Sequence, residues 1–125
     1  MSRNSIAIAA LAVLVVVAAL GTSADAHPKL TSVSPATDVP SKASPTEIKL
    51  NFSEGVIAKF SGLELKNEAG KSVATGVPVN DPADRRQLVV PLQRPLTAGH
   101  YTVMWHAVSE DTHHVKGEYS FEVAH

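Results

Sequence analysis

The residues able to do chemistry stand at two places far apart in the chain. Near the C-terminus, Ser109-Glu110-Asp111-Thr112-His113-His114 sets a carboxylate two residues before an imidazole. In an extended segment that spacing sends both side chains to one side, with attachment points about 7 Å apart, so that they can converge on one metal ion. His114 faces away by the same parity and is the weaker candidate of the adjacent pair. Taken alone, Asp111 and His113 have a simpler meaning: a carboxylate orienting an imidazole on a surface loop.

His27 changes that balance because of what precedes it. Arg3 lies in a short polar start, Ile6 to Leu20 is an unbroken apolar run, and Ala24 and Ala26 are the small residues a signal peptidase reads. The apolar run is shorter than the roughly 20 residues needed to cross a bilayer. These features predict a cleaved leader over 1–26, export from the cytoplasm, and a single domain over 27–125. A cut after Ala26 gives His27 a free α-amine, and amine and imidazole can close a chelate ring on a metal. Pro28 has no backbone N–H, so no amide can join them. Asp111 and His113 would complete a set of three nitrogens and one oxygen, and tetragonal nitrogen and oxygen ligation suits Cu(II). A cut after Ala24 would instead put His27 third, where amine, two amides and imidazole wrap Cu(II) without Asp111 or His113.

Composition narrows the alternatives. The chain has no cysteine, which excludes disulfides and every thiolate metal site. Met104 is the only methionine left after the leader. The whole chain carries 11 basic against 12 acidic residues, and the leader removes one of each. Nothing in that balance points to nucleic acid. Of the other histidines, His100 follows a glycine turn, His125 ends the chain, and His106 lies opposite the apolar face of its strand. All three read as surface residues.

The elements that must position these groups are strands. Apolar residues alternate over Lys29 to Val33, Glu47 to Phe52, Gly62 to Asn67, Gln87 to Leu92, Tyr101 to Val108 and Glu118 to Val123. Clusters rich in Pro, Gly, Asn and Asp separate them. Many short strands in one small domain predict an all-β Greek-key sandwich or barrel of immunoglobulin-like outline. Leu96, Gly99 and Tyr101 in "LTAGHY" match a tyrosine corner, whose phenol bonds to backbone a few residues upstream.

With these residues in view, the sequence resembles the CopC family of exported copper-binding proteins. "HPKL" after a leader, "LNFSEGV", "LTAGHYTVMW" and "SEDTHHVKGEYSFEV" carry the likeness, which covers nearly all of 27–125. The resemblance implies a Greek-key β-sandwich, cupredoxin-like in outline. It also implies one Cu(II) ion carried or buffered outside the cytoplasm, and a membrane partner of the CopD type. It puts the copper ligands on the amine and imidazole of His27, on Asp111 and on His113, with Glu54 beside them. His114 stands where relatives usually have another residue and is a possible additional ligand. Some members have a methionine-rich Cu(I) site, which Met104 alone cannot form.

Two other readings belong to different classes. An N-terminal histidine chelate is also the metal unit of copper oxygenases that attack polysaccharides, but this chain is short and shows no extended aromatic surface. A metal-free immunoglobulin-like interaction module would leave Asp111 and His113 as ordinary loop residues.

Overall fold

A computed structural model of the protein describes residues 27–124. The leader expected over 1–26, its cleavage site and His125 lie outside the described residues. Eight strands follow in order: β1 Leu30–Ser34, β2 Glu47–Phe52, β3 Gly62–Lys66, β4 Ser72–Val73, β5 Val79–Asp81, β6 Asp84–Pro91, β7 Gly99–Val108 and β8 His114–Val123. They form two four-stranded antiparallel sheets, ordered β1-β2-β6-β5 and β4-β3-β7-β8. The fold is the all-β sandwich expected from the alternation. Among the described residues, the only helical element is a 3-10 turn over Ala58–Phe60, and no helix is long and apolar enough to cross a membrane.

Period-two alternation decides which side chains meet between the sheets. Ile48, Leu50 and Phe52 from β2 face Leu65, Val103, Trp105 and Phe121 from the other sheet, joined by Leu88 and Val90 of β6, and all are buried. Each such side chain contributes about 1.5–3 kcal/mol by leaving water. Phe52 meets Trp105 edge to face at 5.5 Å. Trp105 lies across Gly117, where an added Cβ would come within 2.7 Å of Cζ2. His106, on the other parity, is exposed as expected. The tyrosine corner is present, with the Tyr101 hydroxyl donating to Thr97 O at 2.7 Å.

The strands run beyond the alternating segments in three places. Residues 79–86, which read as a loop, form a hairpin of β5 and β6 whose last pair is Asp81 with Asp84. Polar side chains there hide the period because much of that end faces solvent. β8 begins at His114 because backbone pairing with β7 continues past the apolar residues to Val108. β4 is two residues long, too short for any period to show.

Candidate metal centre

Asp111 and His113 share the connection between β7 and β8, whose last cross-strand pair is Val108 with His114. They are not on an extended segment. Thr112 N–H donates to Ser109 O at 2.9 Å, and Thr112 takes a φ of 71°, in the left-handed region. The sequence expectation of a shared strand face is therefore corrected: a tight turn brings the two side chains together. Asp111 Oδ1 lies 3.1 Å from His113 Nδ1. Nδ1 itself is buried.

Ser109 anchors this turn from below. It is fully buried, and its hydroxyl donates to Asp111 Oδ1 while accepting from His113 N–H at 3.1 Å. That hydroxyl, and then the neighbouring His113 ring, hold the Asp111 carboxyl below the ordinary aspartate range. Asp111 is therefore an ionised acceptor. Ser109 stands in the C-terminal stretch that carries the family likeness, but the sequence reading gave it no role; the available signal was a small hydroxyl residue two positions before Asp111.

The N-terminal segment reaches the same place through β2. Lys29 and Ser53 hold each other, with Ser53 N–H donating to Lys29 O at 2.8 Å and Lys29 N–H to Ser53 Oγ at 2.9 Å. Pro28 is buried while His27 is exposed. Beyond Ser53 the chain runs beside the β7–β8 connection: Val56 bridges Ser109, Glu110 N–H donates to Gly55 O at 3.0 Å, and Ile57 N–H to Val108 O at 2.8 Å. The Glu110 side chain lies over the space beside Gly55 that a Cβ would take. Glu110 is itself tied to Arg85 at 2.8 Å.

These ties bring the imidazoles of His27 and His113 within 5.0 Å, edge to face at 71°. Glu54 lies two residues before Val56, as Asp111 lies two after its bridge partner Ser109. Glu54 Oε2 is buried without a hydrogen-bond partner. The His113 ring nitrogen facing an ionised Asp111 is a nitrogen and oxygen pair that suits a cation. His114 starts β8 with its side chain exposed. Among the described residues no three His, Asp or Glu side chains make a metal cage unaided. A groove of about 580 Å³ between the β3–β4 connection and residues 93–101 includes none of these residues.

Fold and site together define a two-sheet β-sandwich that gathers imidazole and carboxylate groups at one end, from its first described residues and its last hairpin. The family model described as CopC domain matches residues 30–124. Copper resistance protein C of Escherichia coli is 42% identical over 107 residues, covering 81% of this chain and 84% of that protein. Protein YobA of Escherichia coli strain K12 is 43% identical over 98 residues, 78% of this chain and 79% of its own length. Among solved structures, CopC from Methylosinus trichosporium OB3b superposes with a TM-score of 0.71 at 32% identity, over 78% of this chain and 93% of that one. The chain belongs to the CopC family.

Proposed function

We propose that the exported chain, cut after Ala26, binds one Cu(II) ion as cargo and carries or buffers it outside the cytoplasm in copper resistance. The amine and imidazole of His27 hold the ion with Asp111 and His113, and Glu54 stands beside them. The observation that carries this reading is the 5.0 Å approach of the His27 and His113 rings. Copper resistance protein C of Escherichia coli, at 42% identity, lends its name to the metal.

The missing donor is the α-amine. In the unprocessed chain the His27 nitrogen is a peptide amide, a poor ligand until it loses its proton. Cleavage turns it into an amine, so processing both exports the protein and completes the site. The protein acts as a carrier and not a catalyst, and delivers to a membrane protein of the CopD type.

Intact mass of the exported protein fixes its first residue, expected to be His27. Cu(II) titration then compares that form with one carrying a single extra alanine before His27. Loss of tight binding in the extended form is the expected result, and equal binding in both overturns the proposal.

A further inference from the structure

Asp111 is exposed and sits in a turn, so its carboxylate has every freedom to wander before a metal arrives. Ser109 removes that freedom from a fully buried position, where no water competes for its hydroxyl. A hydroxyl has one proton and two lone pairs. Here the proton goes to Asp111 Oδ1, and a lone pair accepts the His113 N–H. His113 O is left to accept from Ser109 N–H at 2.9 Å. One side chain is thus joined to both residues that the loop offers a cation. Its own backbone is fixed independently, by the bridge to Val56.

We infer that Ser109 is a positioning residue of this site: its buried hydroxyl locks the Asp111 carboxylate and the His113 backbone into one arrangement before the ion binds. The inference deepens the copper reading and rests on it for the metal. The lock itself belongs to the metal-free chain. An alanine at 109 fits the same space, keeps the strand bridge and loses only the hydroxyl. Groups that orient metal ligands are typically worth 10- to 100-fold in affinity, and the larger part of the effect of Ser109 should run through Asp111, whose side chain it holds directly.

Three measurements decide it. In the metal-free processed protein, NMR should resolve a slowly exchanging Ser109 hydroxyl proton with cross-peaks to the Asp111 β-protons; failure to find it overturns the inference without any variant. Three-bond couplings should show one Asp111 χ1 rotamer in the unaltered protein and averaging in Ser109→Ala, whereas a fixed rotamer in both overturns it. In Cu(II) competition titrations, Ser109→Ala should weaken binding about 10- to 100-fold, and by clearly less when Asp111 is already alanine, the remainder being the hold on the His113 backbone. Equal losses in the two backgrounds would mean that Ser109 acts elsewhere. If the unaltered protein binds no Cu(II), the copper reading fails, while the two metal-free measurements still decide the lock.

Discussion

His27 and His113, from opposite ends of the described chain, stand with their rings 5.0 Å apart and steeply inclined at 71°. Neither residue has a strand of its own. His27 is placed by the Lys29–Ser53 pair at the end of β2, and His113 by the turn that Ser109 closes. The contact therefore depends on the stacking of one sheet on the other.

Replacing Asp111 or His113 by alanine should lower Cu(II) affinity at least about tenfold each, with the far-ultraviolet circular dichroism of the sandwich retained. His114→Ala should change affinity by less than about twofold, since its exposed side chain belongs to β8 and follows the turn that holds Asp111 and His113. Isothermal titration with a competing chelator separates these outcomes. A loss at His114 matching that at His113 would move the site.

Copper release on mild acidification should come from the nitrogens. The Asp111 carboxyl is held below the ordinary range, first by Ser109 and then by His113. A depressed carboxyl favours the ionised state at pH above its unfolded value, and that preference is lost only as pH falls through the lower folded value. Asp111 therefore stays charged between pH 7 and pH 5. Nitrogen donors must shed their protons to hold a metal, so protons compete with Cu(II) for them more strongly as pH falls. Dissociation constants measured at pH 5 and pH 7 should differ, with weaker binding at pH 5.

Thr112 is β-branched and sits at φ 71°. A left-handed backbone costs a non-glycine residue about 1–2 kcal/mol, partly offset against glycine by the latter's larger unfolded freedom of about 0.5–1 kcal/mol. Thr112→Gly should leave chemical-denaturation stability unchanged or raise it by up to about 1 kcal/mol. A clear drop would show that the Thr112 hydroxyl, which donates to Asp111 O at 2.6 Å, outweighs the strain.

Gly117→Ala should destabilise the fold by about 1–3 kcal/mol through overpacking. The new methyl would meet the indole of Trp105 at 2.7 Å, and that ring is already wedged against Phe52. Trp105 is the sole tryptophan, so its fluorescence reports the disturbance directly. An unchanged thermal midpoint and spectrum would contradict the packing.

Burial pushes the Tyr119 phenol well above its ordinary value, and its hydroxyl has no hydrogen-bond partner. The folded state favours the neutral phenol, so this contribution is whole below the ordinary tyrosine value of about 10 and is lost as pH climbs beyond it. Absorbance titration at alkaline pH should show one tyrosine ionising only together with unfolding. Its ionisation in the intact fold near pH 10 would refute the burial.

Strand alternation made the two faces of β2, β3, β7 and β8 legible in the sequence, because burial between sheets selects side chains two by two. Parity placed His106 outside, the LTAGHY pattern located the tyrosine corner, and the leader with the Asp111–His113 spacing named His27, Asp111 and His113 as the residues to watch. It did not reveal β4, the β5–β6 hairpin or the first turn of β8, where backbone pairing proceeds with side chains in solvent and leaves no apolar period. Nor did it reveal how Asp111 and His113 come together: strand parity was the sequence's reason, and a left-handed turn over a buried serine is the structure's. Local patterns record which face of a strand is dry. Which residues from distant segments meet at the end of a sandwich is decided by sheet stacking and by hydrogen bonds such as those of Lys29 with Ser53 and Gly55 with Glu110, and only the folded chain contains them.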